Sequence, residues 1–449
     1  MLAAVMTAAM VAGCGSSSGT ETASSAAPAE TTAETTSEAA AETTAETTAE
    51  TSAETTGDTA AADYSGVELT YWSMWNNTEP QGQVLQEAAD AFSEQTGATI
   101  NIEWKGRDIK NILGAALEAS EDFDLYEDDY NRIAKNWIEW TADLTDLAEA
   151  AGYADNSYAV FNDQATEWAG FLPCVTEQPQ VGGIFYNQDL FDEAGVQAPT
   201  TWAEFLEVCQ TLKDKGIQPM ALDSAYASFF FGYHLARYIG QDATAELSKN
   251  GGWSDNAGVA AAADSMIEFI KAGYLADGAP DEYPNSQNKM GLSEDVAMVV
   301  CANYVTSEVN NNTKNELNWN LFNYPSVDGA AEGVDQTAAY AGANSIAITA
   351  YSENQEAAFD LATFITSGEY DQKMADAAGQ IPADPANTAP ASQNGTVEVL
   401  EATTSPLTWN MGLNENGDLR TAIDEIVIKL FEGEYATGAD FAAALDALY

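Results

Sequence analysis

From residue 67 onward, short β-rich runs alternate with segments of helical periodicity, and no other feature limits the fold so strongly. Val67 to Trp72 alternates in polarity and predicts a strand. Gln83 to Gln95 places Val84, Leu85, Ala88, Ala89 and Phe92 at helical spacing, with Gly97 as the stop. Ala98–Trp104 reads as the next strand, Ile109–Ala119 as a helix and Phe123–Tyr126 as a short strand. A β-α-β-α-β series of this kind predicts an α/β sandwich of three layers around a largely parallel sheet.

A second series starts at Gly182-Gly183-Ile184-Phe185-Tyr186-Asn187. Helices are expected at Trp202–Lys215, capped by Thr200 or Thr201, and at Phe229–Ile239 and Gly258–Ala272. Strands are expected at Gln218–Leu222, Val296–Cys301 and Asn344–Thr349. The helix predicted at Glu353–Ile365 carries an inner stripe of Ala357, Ala358, Leu361, Ala362 and Ile365, and helices near Leu419–Phe431 and Asp440–Leu448 close the chain. Two such series in 449 residues suit two lobes, since one core rarely grows beyond about 250–300 residues.

The charge balance narrows the partners. Fifteen Lys and Arg stand against 71 Asp and Glu, a formal charge of −56, which repels nucleic acid and anionic lipid. With 45% apolar residues the chain still has the material for a packed core.

The first 63 residues have a different character. Leu2 to Gly13 is apolar but too short to span a bilayer, and it reads as a signal peptide over residues 1–13. It runs into Val11-Ala12-Gly13-Cys14, which resembles a bacterial lipobox, so Cys14 is expected to carry the lipid; no Lys or Arg precedes the apolar run. Residues 14–63 repeat Ala-Glu-Thr-Thr, as at Ala29–Thr32 and Ala41–Thr44, and bury too little to offset their ordering entropy. They read as a disordered tether, with a weak Ala/Glu helix as the alternative. A long tether behind a lipid suits a thick wall outside a single membrane, as in a Gram-positive cell.

Catalytic groups are scarce. His234 is the one histidine, set in an aromatic helical run where core or rim is the natural place for it. No His/Cys spacing fits zinc, and neither a nucleophile elbow nor a phosphate loop is present. Asn414-Glu415-Asn416-Gly417-Asp418 lacks the closing glutamate of a calcium loop and reads as a turn. Cys174, Cys209 and Cys301 read as buried apolar thiols. No metal, cofactor or catalytic residue is therefore assigned, although two carboxylates suffice for a glycosidase and the chain has many.

Aromatics are plentiful: 10 Trp, 19 Tyr and 16 Phe. Several lie beside amides and acids at predicted strand ends, as in Trp72-Ser73-Met74-Trp75-Asn76-Asn77, Glu127-Asp128-Asp129-Tyr130 and Ala302-Asn303-Tyr304. Sugar rings offer apolar faces to such aromatics and hydroxyls to such amides and acids. Ligands of open parallel sheets bind outside the strand C-termini, where these clusters fall. Any one of these aromatics can equally be core.

The run Pro179-Gln180-Val181-Gly182-Gly183-Ile184-Phe185-Tyr186-Asn187-Gln188-Asp189-Leu190-Phe191, followed by Pro199-Thr200-Thr201-Trp202, resembles the signature of family-1 extracellular solute-binding proteins, to which maltose-binding protein is distantly related. Asp295-Val296-Ala297-Met298 and Ser345–Thr349 with Asn354 and Glu356-Ala357-Ala358 resemble two further family stretches. Asn303-Tyr304 stands where the family has Gly-x-Trp, and Phe123-Asp124 where it commonly has Pro-Asp.

The resemblance implies a two-lobed periplasmic-binding-protein-like α/β fold with a sheet in each lobe. The lobes fall at residues 64–178 plus 341–380 and 181–338 plus 387–449, with crossings near Glu177–Val181, Ala338–Ala341 and Gln380–Asn387. It implies the sugar-binding component of an ABC importer: a monomer held at the outer membrane face by its lipid, closing over a carbohydrate and presenting it to permease subunits. Trp75, Asn76, Asp128, Asp129 and Tyr130 are expected to face the cleft from the first lobe, and Tyr226 and Tyr304 from the second. Gln180 and Tyr340 lie on crossings and Trp409 on a late rim loop, while Trp202 is read as core. The alternatives are a same-fold protein for another solute such as a peptide, and a secreted carbohydrate-active enzyme or wall adhesin.

Overall fold

The computed structural model describes residues 62–293 and 295–449. The expected leader, Cys14 and the tether through residue 61 lie outside the described residues. Eight strands form one continuous sheet: β1 (Glu68–Ser73), β2 (Thr99–Trp104), β3 (Leu125–Asp129), β4 (Cys174–Asn187), β5 (Gln218–Ala221), β6 (Val296–Ala302), β7 (Trp319–Phe322) and β8 (Ala341–Ile348). Their order is β2-β1-β3-β8-β4-β6-β5, with β7 also on β4.

Strand β4 is the joint between two half-sheets. Its first half, Cys174–Val181, pairs with β8, and its second, from Gly182 on, pairs with β6 and β7. The half-sheet of β2, β1, β3 and β8 thus passes to that of β6, β5 and β7 along a single strand. The sheet is mixed where a largely parallel one is expected. β1 runs parallel to β2 and β3, and β5 to β6, while every pairing of β4 and β8 is antiparallel. The reason is topological: β4 and β8 carry the chain between the halves and run against the strands that build each half.

Helices cover both faces. β6 and β8 are buried along their whole length, as strands between two helical layers must be. Helix Gln355–Ile365 buries the expected stripe and also Phe359, and with helix Pro80–Thr96 it closes one face of the first half-sheet. Thr201 caps helix Trp202–Asp214 in a capping box with Glu204, each side chain taking the other's backbone N–H. Trp202 lies in the second half's core against His234, Phe205, Phe269 and Tyr324.

One boundary differs with consequences. β3 covers Leu125–Asp129 where the sequence suggests Phe123–Tyr126. Acidic residues are poor strand formers, but partners supplied by the tertiary fold override that preference here. Glu127 accepts from the hydroxyls of Tyr71 and Ser73 and from the backbone of Met74. Asp128 accepts from Trp137 Nε1 at 2.7 Å and lies 3.2 Å from Arg132 Nε.

Candidate functional site

The central motif shows why two glycines stand at the joint. A Cβ on Gly182 would lie 2.7 Å from the Phe229 ring and 3.0 Å from the Tyr340 ring, and one on Gly183 would lie 2.6 Å from the Phe322 carbonyl. Without side chains there, the aromatic rings of two other segments close directly onto β4. Tyr233, fully buried on helix Ala227–Ile239, fixes the junction: its hydroxyl donates to Gly182 O (3.0 Å) and accepts from Tyr340 N (2.8 Å).

Tyr340 is the centre of the aromatic group that results. Its ring meets Phe229 at 5.5 Å and Trp409 at 5.4 Å, both edge to face, and Trp409 lies 4.5 Å from Phe229. Tyr226 meets Trp409 at 6.3 Å and Tyr283 at 5.9 Å, and Tyr304 is near enough to act on its hydroxyl. The Tyr340 hydroxyl donates to Gln180 Oε1 at 3.0 Å. Gln180, Tyr226, Tyr304, Tyr340 and Trp409 are thus brought together. Burial lifts the hydroxyls of Tyr226, Tyr304 and Tyr340 well above the usual tyrosine value, so all three stay neutral donors.

Trp409 stands on a strained turn. Asn410 and Met411 both have positive φ (57° and 51°), which non-glycine residues adopt at a cost. Gly232 makes room for that turn, since a Cβ there would lie 2.6 Å from the Asn410 carbonyl. A cavity of about 350 Å³ on the Thr408 side is lined by Lys135, Glu167 and Trp168 and, across from them, by Gln241, Lys249 and Glu415. One of about 460 Å³ on the Trp409 side is lined by Ser224, Ser228, Tyr283 and Asp424. Both volumes fall in the range of small-molecule sites, about 300–1,000 Å³. Larger hollows, of about 480 and 590 Å³, lie along helix Ala159–Ala169, and the first shares Gln164 and Glu167 with the Thr408-side cavity.

From the first half, Tyr130 and Asp129 reach this region. The Tyr130 hydroxyl donates to the carbonyl of Ala341, next to Tyr340, and its ring tilts against Trp168 at 5.2 Å. Asp129 caps the helix Tyr130–Asn136, and burial followed by the Asp128 charge pushes it up to about 6.

The other three expected residues are placed elsewhere. Trp75 is buried; its Nε1 donates to Glu177 Oε1 at 3.1 Å and the Arg107 guanidinium covers its ring at 4.4 Å. Asn76 is exposed, and Glu79 holds it through its backbone N–H. Asp128 is inaccessible and paired with Arg132 and Trp137.

Several residues escape sequence reasoning. Asn303, in the place of the family's Gly-x-Trp, is a buried clamp: its N–H donates to Val181 O, its Oδ1 accepts from Val181 N, and its Nδ2 donates to Gln380. It binds two of the expected crossings to each other. Phe229 and Trp168 are aromatics in helices, where nothing local separates a site residue from core.

His234 is fully buried against Tyr324, and desolvation pushes its pKa down to about 3, so it stays neutral. Cys174, Cys209 and Cys301 are free and buried. Among the described residues, no group of three acids, histidines or cysteines could hold a metal, and no helix is long and apolar enough to cross a membrane.

Comparison with known proteins agrees with this architecture. The profile of a family described as bacterial extracellular solute-binding protein matches residues 87–397. The melibiose/raffinose/stachyose-binding protein MelE of Bacillus subtilis is 24% identical over 189 residues, 41% of this chain and 42% of its own length. The match therefore spans about two fifths of that relative. Two solved structures share the fold over nearly their full length. A probable secreted solute-binding lipoprotein of Streptomyces coelicolor has a TM-score of 0.68 at 17% identity, over 85% of this chain and 98% of its own. RafE of Streptococcus pneumoniae has a TM-score of 0.66 at 17% identity, over 85% and 96%. The half-sheets joined through β4 are those of a two-lobed binding protein, and with its profile covering more than half of the sequence the chain belongs to the bacterial extracellular solute-binding proteins.

Proposed function

We propose that this chain captures a neutral oligosaccharide between its lobes and delivers it to the permease of an ABC importer. The observation that carries the reading is the aromatic group of Tyr340, Phe229, Trp409 and Tyr226, set at the joint of the half-sheets and flanked by two ligand-sized cavities. Aromatic faces beside hydroxyl and amide groups suit a saccharide, and a charge of −56 disfavours an anionic ligand. The sugars in the name of the relative MelE give the first panel.

On this reading the lobes are residues 64–178 plus 341–380 and 181–338 plus 387–449. They close because a ligand touching both binds the closed form better, and the permease recognises that form. The monomer hangs from the outer face of a single-membrane cell by a lipid on Cys14 and the tether of residues 14–63. It binds without turnover and needs no cofactor.

Calorimetry with melibiose, raffinose, stachyose and a set of short peptides tests the ligand class. Micromolar or tighter binding of a saccharide, recovered intact, is expected. Binding of peptides alone, or breakdown of the sugar, would replace this reading with one of its rivals. For the anchor, Cys14→Ala should release the protein into the medium; a variant still fixed to washed membranes would rule the lipid out.

A further inference from the structure

Among the described residues only three large apolar side chains are exposed: Tyr283 (43%), Leu292 and Tyr449. A single exposed ring is ordinary on a protein surface, but the Tyr283 ring is both exposed and held. Its hydroxyl donates to Glu308 Oε1 at 3.0 Å, and Glu308 Oε2 accepts from the buried Gln287 at 2.9 Å. The segment that carries it is pinned as well: Ser224 N–H donates to Asp281 O (2.8 Å), and Asp281 N–H donates to Leu222 O (3.1 Å).

Tyr283 and Trp409 rise from one base. The Tyr283 ring meets Tyr226 at 5.9 Å and 83°, and the Trp409 ring meets it at 6.3 Å and 72°, so both stand nearly upright on it. Trp409 also packs on Phe229 and Tyr340, but not on Tyr283. The cavity of about 460 Å³ touches both rings.

Polar groups line the rest of that cavity. Asp424, on helix Arg420–Phe431, is fixed through one oxygen: its Oδ1 accepts from Ser228 Oγ and, at 3.1 Å, from Asn414 Nδ2. Its Oδ2 takes no hydrogen bond from the described residues, and Arg420 makes no ion pair with them. A carboxylate pinned by one oxygen offers the other, already aimed, to a hydroxyl, and a guanidinium offers donors to the next one. A sugar ring has apolar faces for the aromatic walls and hydroxyls at its edge for these groups.

We propose that Tyr283 and Trp409 are the two sides of a slot for one ring of the captured saccharide, with Asp424 and Arg420 binding its hydroxyls. This rests on the saccharide reading and adds Tyr283, Asp424 and Arg420, which that reading does not require. Walls that are fixed beforehand lose little freedom on binding, so their contacts go into affinity. Tyr283 and Asp424 bond to none of the crossing segments, and their contacts with the sugar are the same in the open and closed forms. They add affinity without favouring closure. Trp409 alone links the slot to a crossing, through Tyr340.

The test is calorimetry on the full chain with whichever of melibiose, raffinose and stachyose the wild type binds most tightly. Tyr283→Ala and Asp424→Asn should each weaken binding about tenfold, and Tyr283→Phe, which keeps the ring but frees it from Glu308, about threefold. Tyr449→Ala, which removes the other exposed tyrosine, should leave affinity as it was. Tyr283→Ala should melt close to the wild type and, at saturating sugar, compact as far in solution scattering. Wild-type affinity in either Tyr283→Ala or Asp424→Asn overturns the slot and leaves the saccharide reading standing. A Tyr283→Ala protein that binds but does not compact overturns the separation of slot from closure. If Asp424→Asn does not fold, Tyr283→Ala decides alone. If the wild type binds no sugar of the panel, the saccharide reading and the slot fall together.

Discussion

Arg237 offers the sharpest test of how the second lobe holds a crossing segment. It lies fully buried on helix Ala227–Ile239. Its Nε and Nη2 donate to Tyr324 O at 3.3 and 2.9 Å, and Nη2 also reaches Asn323 Oδ1 (3.2 Å) and Ala338 O (2.7 Å). The rings of Tyr233 and Tyr324 lie 5.3 and 5.9 Å from the guanidinium. Arg237→Met keeps most of the volume and removes the donor from two carbonyls, Tyr324 O and Ala338 O, while Asn323 Oδ1 keeps the Tyr324 N–H at 2.7 Å. At roughly 1–3 kcal/mol for each orphaned buried group, the gross cost is about 2–6 kcal/mol. The variant no longer buries a charge, which offsets part of this, so a net loss of about 1–4 kcal/mol is expected. Urea unfolding followed by circular dichroism and tryptophan fluorescence reads it: with a slope of about 3 kcal/mol per molar, the midpoint should drop by roughly 0.3–1.3 M. A loss below about 1 kcal/mol would mean that desolvation of the guanidinium consumes nearly all that its bonds return, and would falsify the view that Ala338 is clamped from this helix.

Trp409→Ala removes the ring between the two cavities and should weaken raffinose binding by about 1–3 kcal/mol, roughly ten- to hundredfold; unchanged affinity in calorimetry would take the site elsewhere. Because His234 is held neutral with its pKa pushed down to about 3 from 6.5, the unfolded chain binds more protons and stability should fall as pH drops from about 6.5 toward 3. His234→Gln should show a smaller loss of urea midpoint between pH 6 and 4 than the wild type, and an equal loss would assign the acid limb to the carboxylates instead.

How much of this was legible in the sequence varies by residue. The stripe on Gln355–Ile365 and the strand β2 follow from periodicity alone, because one buried face imposes a period of 3.6 or 2. The extension of β3 through Glu127 and Asp128 could not follow that way. Their partners Tyr71 and Ser73 are 56 and 54 residues away, and Trp137 belongs to a turn with no local signal. Trp75 and Trp409 look alike in sequence, each beside an asparagine. Only the fold lays Arg107 over one and opens cavities beside the other. Gly182 and Gly183 were visible as a motif, but the demand they meet comes from Phe229, Tyr340 and Phe322, all distant in the chain.

The aromatic group and the joint between the half-sheets share residues, and this has an energetic consequence. Tyr340 bonds Gln180 on β4 through its hydroxyl, takes Tyr233 on its N–H, and meets Trp409 and Phe229 with its ring. A ligand seated on Trp409 therefore presses on a residue that ties two crossings together, and it needs no separate relay to reach them. A ligand can shift the balance of open and closed forms only by its difference in affinity for the two, about 1.4 kcal/mol for each tenfold. Under the proposed closure, contacts made by rings at the joint are well placed to differ between those forms, since a rotation of the lobes would move Phe229 and Trp409 relative to Gln180. Aromatics buried far from the joint, such as Trp202 among Phe205, Phe269 and His234, keep the same neighbours in either form. Substitutions at Tyr340 and Trp409 should accordingly change affinity and closure together, whereas Trp202→Ala should lower stability by about 3–5 kcal/mol and leave the affinity of the folded protein as it was.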